Sequence, residues 1–227
     1  MAWNVDQIFS FVQFLTRKNQ SNSISANDFF YVWNAQSAGY MQDMLGRFQR
    51  NSNTKQGAST GAIENETILS KLAIFTKNVT IPVVSGQAPK PGDFTYAWAL
   101  RETNSQQRVW PVNHDQIYAV LEDVIDPPST TQNNYYCTEY GNYYSINPPT
   151  TGSIDLDYCS SPVDVVWGWV LDGNNRKVYA PSNSVQPQWT SNGSIVEITQ
   201  RTLKLFGVSY HDNDMAQFGE SVMAKGE

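Results

Sequence analysis

The chain has 227 residues, 40% hydrophobic and 13% aromatic, which allows one or two globular domains with a core that needs no metal or disulfide. Its net charge of −6 and pI near 4.9 argue against a nucleic-acid binder that works by phosphate neutralisation, because such binders need clustered lysine and arginine. The 20 Asn and 16 Gln together equal the number of Lys, Arg, Asp and Glu combined. A surface so rich in amides suits protein interfaces, sugar contacts or plain ordered loops.

The two cysteines, Cys137 and Cys159, are too few for a secreted disulfide scaffold, and we expect both to be small buried apolar residues. The first ten residues lack the basic n-region of a signal peptide, and no run approaches 18 apolar residues. We therefore expect a soluble protein of cytosolic origin.

The N-terminal part, residues 1–50, is predicted to be helical. Asn4 with Gln7, and Ser25 with Asp28, have the spacing of capping boxes. Apolar residues follow each of them at helical spacing, which predicts two helices. The first set is Ile8, Phe9, Val12 and Leu15, and the second is Phe29, Val32, Trp33, Tyr40, Met44, Leu45 and Phe48.

The next stretch, residues 51–62, has the Ser, Thr, Asn and Gly content of a loop, and a short helix is predicted over 64–75. Pro82, Pro89 and Pro91 are expected to interrupt regular structure. A β-rich part is then predicted over 93–180, as a small antiparallel structure with one long meander.

Within this part, 94–100 and 109–112 are expected to pair through a turn at 103–107, and 135–140 with 143–146 through Gly141-Asn142. Residues 153–158 alternate between apolar and polar, as in a half-buried strand. Another strand is predicted over 163–170, turning at 172–175 into 177–179. Residues 114–124 fit either a helix or a strand.

The C-terminal part, residues 194–227, is predicted to form two helices separated by a glycine stop at Gly207. The first is expected to be capped at Ser194, and the second runs from 211 to 225. Helices, then strands, then helices indicate the α+β class, and we expect a single domain over 1–227.

The chain shows no phosphate-binding glycine loop, dinucleotide fingerprint or nucleophile elbow. His114 and His211 each stand alone, and helix capping explains His211 with Asp212 and Asp214 better than a metal site does. Asp155 and Asp157 share one face of a strand, which favours a solvated face over a glycosidase pair. No catalytic residue, cofactor or metal is predicted.

Aromatic residues crowd two segments, at 135–144 and around Gly168. They could form a protein interface, stack against sugars, or simply fill the core of a small sheet. We select a candidate protein interface from these aromatics and from the apolar stripe of the last predicted helix. Its members are Tyr135, Tyr136, Tyr140, Tyr143, Tyr144, Trp167, Trp169, Met215, Phe218, Val222 and Met223.

A series of short motifs lies between residues 65 and 227. The motifs are Leu72-Ala73-Ile74-Phe75, Pro91-Gly92-Asp93-Phe94, Asp126-Pro127-Pro128-Ser129, Ile146-Asn147-Pro148, residues 154–162, and Leu205-Phe206-Gly207-Val208 before the final helix. In content and order, this series resembles structural proteins of crAss-like tailed bacteriophages.

The resemblance implies a non-enzymatic ring component of the virion neck or tail, assembled in the host cytoplasm. Such proteins join the portal to the tail as stacked rings, often of twelve copies, and leave a channel through which DNA passes without specific binding. A closed ring requires a heterologous interface between neighbouring copies. The alternative is a carbohydrate-binding module or a receptor-binding component of a tail fibre. A hydrolase using Asp155 and Asp157 is the weakest of the hypotheses considered.

Overall fold

The computed structural model describes residues 3–18, 24–53, 60–123, 127–149 and 152–207, and it confirms the predicted α+β class. The chain divides into two compact units, one formed by Met1–Ile74 with Pro162–Glu227 and the other by Phe75–Ser161. We call them the helical unit and the β unit. The expectation of a single domain over 1–227 stays a prediction, because compactness alone does not decide whether two units fold together.

The regular elements of the described residues are as follows. The helices are α1 (Val5–Lys18), α2 (Ala26–Asn53), α3 (Thr60–Leu72), α4 (Ile117–Leu121) and α5 (Asn192–Leu205), with short 3-10 turns at Ala73–Phe75 and Pro181–Asn183. The strands are β1 (Thr76–Pro82), β2 (Gln87–Pro89), β3 (Phe94–Glu102), β4 (Val109–Pro111), β5 (Tyr135–Glu139), β6 (Tyr143–Asn147), β7 (Ser153–Ser160), β8 (Trp169–Leu171) and β9 (Lys177–Tyr179).

The predicted capping box of Asn4 and Gln7 is present in full, and that of Ser25 and Asp28 is present in part. The Gln7 backbone N–H donates to Asn4 Oδ1 at 2.8 Å, and the Asn4 N–H donates to Gln7 Oε1 at 3.0 Å. At the start of α2, the Asp28 N–H donates to the Ser25 hydroxyl at 3.2 Å. These bonds satisfy backbone donors that a helix start otherwise leaves unpaired, so they fix where α1 and α2 begin.

The core of the helical unit combines one face each of α1, α2 and α5. The indole of Trp33 donates to the Thr199 hydroxyl at 3.2 Å, linking α2 to α5 in a fully buried setting. The apolar stripes predicted for α1 and α2 are largely confirmed, although Val32 and Phe48 are only half-buried. Other buried members are Val5, Phe11, Phe30, Met41, Trp189, Ile195, Ile198 and Leu203.

The N-terminal end of α5 differs from the prediction, and its C-terminal end agrees with it. The helix begins at Asn192, so Ser194 lies buried in its first turn instead of capping it. The predicted glycine stop is confirmed, since Gly207 follows the helix with a φ of +72° that other residues rarely adopt. The second predicted C-terminal helix lies outside the described residues.

The β unit contains two sheets with a shared core. Their strand orders are β1-β7-β3 and β2-β6-β5-β4, and β7 pairs antiparallel with both of its neighbours. The burial of β7 alternates from Ser153 to Tyr158, as its sequence predicted. Side chains from both sheets, among them Leu100, Tyr135, Ile146 and Leu156, form one apolar cluster.

Several predicted β features are wrong. Strands β1 and β2 have no counterpart in the sequence prediction, although the expected interruption of regular structure at Pro82 and Pro89 is confirmed. They are edge strands that end at Pro82 and Pro89, positions where proline costs little. Residues 103–107 form the predicted turn, but β4 pairs in parallel with β5. Among the described residues, the only bridge that joins this segment to β3 is Arg101↔Arg108, directly before β4. The β-rich part is therefore not one meander.

The structure also shows which secondary structure residues 114–123 and 163–168 adopt. Residues 114–124 contain the short helix α4, with 124 outside the described part. Residues 163–168 form a single bridge, Val166↔Val185, where a strand was expected, and the strand starts only at Trp169. The loop predicted over 51–62 is wrong at both ends, because α2 extends to Asn53 and α3 begins at Thr60, and residues 54–59 lie outside the described part. The predicted pairing of 169–171 with 177–179 is confirmed, and these strands belong to the helical unit.

Candidate functional site

The five tyrosines of the candidate interface separate into two groups. Tyr135 and Tyr144 are 6% and 2% exposed and fill the core of the β unit, so they are not available to a partner. Tyr136 and Tyr143 are half-buried, and Tyr140 is 39% exposed. Strand alternation explains the split, because successive residues of β5 and β6 point to opposite faces.

The tip of the β5–β6 hairpin carries a small stack of rings. Tyr140 and Tyr143 lie parallel with their centroids 4.8 Å apart, and the His114 ring meets Tyr140 edge-on at 4.5 Å. His114 Nε2 is also 2.8 Å from the Glu139 carbonyl oxygen. These contacts hold the exposed ring of Tyr140 in one orientation.

Lys90 binds the same hairpin tip through several contacts. Its ammonium donates to Glu139 Oε1 at 2.6 Å and to the Tyr140 carbonyl at 2.7 Å. It also lies 4.9 Å and 5.0 Å from the ring centroids of Phe94 and Tyr144, within cation–π range. The sequence alone does not indicate this anchor, because Lys90, which follows β2, is distant from the β5–β6 hairpin along the chain.

Trp167 and Trp169 are held by the close approach of the backbone at Gly168. A Cβ atom at Gly168 would stand 2.2 Å from the backbone of Asn183, so only glycine fits. The Gly168 N–H donates to the Ser184 hydroxyl at 2.9 Å, and the Gly168 carbonyl accepts from the Ala180 N–H at 2.9 Å. The two tryptophans are thus displayed from a rigid corner.

Both tryptophans line a cavity of about 290 Å³ in the helical unit, which we call the indole cavity. The Trp167 ring packs against Phe9 at 5.3 Å, and its N–H donates to Asp6 Oδ1 at 3.1 Å. Lys177 lies over the Trp169 ring at 4.3 Å. The remaining lining residues are Gln13, Ser25, Ala26 and Asn27. The sequence singled out the two indoles but not these partners from α1, α2 and β9.

Residues 163–185 expose an unusual number of apolar side chains, and we call them the apolar ribbon segment. Of the 18 large apolar residues exposed among the described residues, seven lie in this short segment. They are Val163, Val166, Trp169, Val170, Leu171, Val178 and Val185. Val170 and Val178 face each other across the two strands, and they are 48% and 46% exposed.

A second cavity, of about 340 Å³, lies in the β unit beside β3. Residues 94–100 of β3 form one wall, and Val109, Cys137 and Tyr144 contribute to the rest. The Tyr144 hydroxyl is buried and has no hydrogen-bond partner among the described residues, and burial, Glu139 and Cys137 raise the pKa of its phenol. Since β3 is the outer strand of its sheet, this cavity follows a sheet edge.

The two carboxylates considered for catalysis, Asp155 and Asp157, accept hydrogen bonds from neighbouring side chains. Asp155 accepts hydrogen bonds from Thr80, Thr103 and Gln106, and the bond from Thr80 contributes most to holding its pKa below the ordinary value. Asp157 accepts from Asn78 at 2.6 Å. A general acid needs a raised pKa, so Asp155 is unsuited to that role.

The remaining candidates are the two cysteines, the possible metal ligands and the C-terminal residues. Cys137 and Cys159 are buried free thiols, and burial raises their pKa to about 12 and about 11, which confirms the expectation of inert apolar residues. No group of three or more potential metal ligands occurs in the described part of the chain. Met215, Phe218, Val222, Met223 and His211 lie outside the described residues.

Comparison with known proteins adds no identification. No protein-family model matches this chain, and no curated protein is significantly similar to it. Within the described ranges, every helix is too short or too polar to cross a membrane. Function is therefore inferred from the surfaces of the two units.

Proposed function

We propose that this protein is a structural component of a tailed-phage virion, assembling as a closed ring in the neck or tail connector. It joins the portal to the tail and leaves a channel for DNA. The resemblance of its short motifs, in content and order, to structural proteins of crAss-like phages supports the virion assignment. One structural observation supports self-association, namely the exposed apolar side chains of the ribbon formed by β8 and β9.

The ribbon has more apolar surface than a free two-stranded structure tolerates well. An isolated pair of strands is marginally stable in water and is normally covered by another layer. Val170, Leu171 and Val178 are each about half exposed, with Val163 and Val166 nearby in the same segment. Clustered apolar exposure of this kind marks a surface that binds another protein.

A ring places different demands on two surfaces of the same chain. Each copy binds its neighbour through one patch and is bound through another, and the rotation between copies closes the circle. In this proposal the apolar ribbon segment is one of the two patches. The net charge of −6 suits a channel that DNA traverses, because like charges repel and binding along the wall stays weak.

The oligomeric state tests this proposal directly. Mass photometry and negative-stain electron microscopy of the full chain, alone and with the portal and tail proteins of the same phage, should show closed rings. The double variant Val170→Asp with Val178→Asp should lose them, because two buried carboxylates would be unpaired at the interface.

A matched control separates loss of a contact from a general effect of charge. Val84 is 67% exposed in a turn of the β unit, so Val84→Asp adds a carboxylate outside the apolar ribbon segment and should leave rings intact. The proposal is wrong if the unmodified protein stays monomeric at all concentrations with its virion partners present.

A further inference from the structure

We infer that the indole cavity is a binding site for a single sugar ring. The inference rests on three properties of the cavity: two fixed indoles, side-chain amides at its border that make no hydrogen bond to another described residue, and a volume suited to one small ring.

The aromatic wall is rigid before any ligand arrives. Trp167 is fixed by its hydrogen bond to Asp6 and by packing against Phe9, and Tyr179 lies 6.1 Å away on another side. Trp169 comes from the same tightly held corner at Gly168. Rigid indoles bind the C–H face of a pyranose with little loss of conformational entropy, which is the usual reason for preorganised aromatic sites.

The polar border supplies hydrogen bonds of the kind that sugar hydroxyls require. Gln13 and Asn27 line the cavity with exposed side chains, and neither amide bonds to another described residue. Each amide offers two donors and an acceptor, so it can bridge neighbouring hydroxyl groups. The Lys177 ammonium, next to Trp169, adds a donor for a hydrogen bond to an oxygen of the sugar.

Other small ligands fit the same residues less well. An anion would meet Lys177 in the lining, but it would also lie near the carboxylate of Asp6, which accepts from the Trp167 N–H at 3.1 Å. A purely apolar ligand would leave the amides of Gln13 and Asn27 without partners and displace their water. The volume of about 290 Å³ is at the small end of ligand cavities, about 300 to 1,000 Å³, and this favours one ring over a long chain.

The test uses the intact protein and a defined set of probes. These are the methyl α- and β-pyranosides of glucose, galactose, mannose and N-acetylglucosamine. Saturation-transfer difference NMR and tryptophan fluorescence titrations report binding at millimolar concentration. We expect transfer to at least one glycoside, with its C–H face receiving the strongest saturation.

Variants locate the site. Trp169→Ala should weaken binding about tenfold or more, and Gln13→Ala should weaken it severalfold. Trp110→Ala is the matched control, because Trp110 is 51% exposed in the β unit but lines neither described cavity, and it should bind as the unmodified protein does. Trp169→Phe keeps a ring in place and should retain part of the affinity, which guards against a folding defect in the alanine variant.

Three results would overturn the inference. One is the absence of saturation transfer to every glycoside of the set. Another is binding that survives both Trp169→Ala and Gln13→Ala. The third is a preference for a decaproline peptide over the glycosides, since that would make the cavity a peptide site. A ring interface over the apolar ribbon segment would also cover Trp169, so the titrations are repeated on the Val170→Asp, Val178→Asp variant.

Discussion

Lys90 Nζ lies 2.6 Å from Glu139 Oε1, and the lysine side chain is only 8% exposed while the glutamate side chain is 60% exposed. The pair is therefore asymmetric, since the carboxylate keeps much of its water and the ammonium keeps little. The ammonium compensates with the carbonyls of Tyr140 and Gly141 and with the rings of Phe94 and Tyr144. Lys90 thus stabilises the hairpin tip chiefly through contacts other than the ion pair.

This asymmetry predicts different costs for the two partners. Lys90→Met keeps the apolar stem but removes the charge, so we expect the free energy of unfolding to fall by about 1–2 kcal/mol. Glu139→Gln should cost less than about 1 kcal/mol, because the carboxylate is 60% exposed and the ammonium keeps its carbonyl and ring contacts. Urea denaturation followed by circular dichroism measures both. Equal losses in the two variants would show that the ion pair itself dominates.

Glu102 makes the stability of the β unit depend on pH. The side chain is 5% exposed, and burial alone would raise its pKa, but hydrogen bonds from the Ser105 N–H at 2.6 Å and from Asn104 outweigh burial. The folded-state pKa is therefore below the ordinary 4.5. A depressed carboxyl pKa stabilises the fold above the ordinary value, and that stabilisation is lost as pH falls through the folded-state value.

The expected outcome is a stability difference that disappears in acid. Glu102→Gln should be less stable than the unmodified protein at pH 7, and the two should converge as the pH falls below the folded-state pKa. Thermal unfolding across this range provides the measurement. Asp93 and Asp155 also have lowered pKa values in this unit, so both proteins should still lose stability in acid. A difference that is constant with pH would contradict the role given to Glu102.

The two cysteines should be unreactive in the folded protein. Cys137 and Cys159 are 1% and 0% exposed, and burial raises their pKa to about 12 and about 11, so almost no thiolate exists at pH 8. Iodoacetamide labelling followed by mass spectrometry should modify neither thiol in buffer and both in denaturant. Rapid native labelling of either would show that its surroundings open readily.

Local signals in the sequence predicted the helices well. The pairs Asn4 with Gln7 and Ser25 with Asp28 act over three residues, so their bonds depend on nothing distant. The sheet order was harder, because the parallel pairing of Val109 with Tyr135 joins segments that alternation alone cannot match.

The candidate site was predictable to a similar degree. Aromatic residues at 135–144 and around Gly168 were visible in the sequence, but burial was not. Whether Tyr144 or Tyr143 faces the core depends on the register with β5, which a run of adjacent tyrosines does not specify. Likewise, Gln13 and Asn27 join Trp167 in one cavity only because α1 and α2 pack beside the later segment.

Gly168 provides the sharpest test of how the indole cavity is built. In Gly168→Ala the new methyl group would overlap the Asn183 backbone at 2.2 Å, and backbone cannot move aside as a side chain can. We expect a loss of about 3 kcal/mol or more in the free energy of unfolding, together with altered near-ultraviolet circular dichroism from the displaced indoles. Gly173 lies in the turn of the same ribbon and has nothing within 4 Å of an added Cβ, so Gly173→Ala should change stability by less than about 1 kcal/mol. If the two alanine variants were equally stable, the close contact at Gly168 could not be what fixes Trp167 and Trp169.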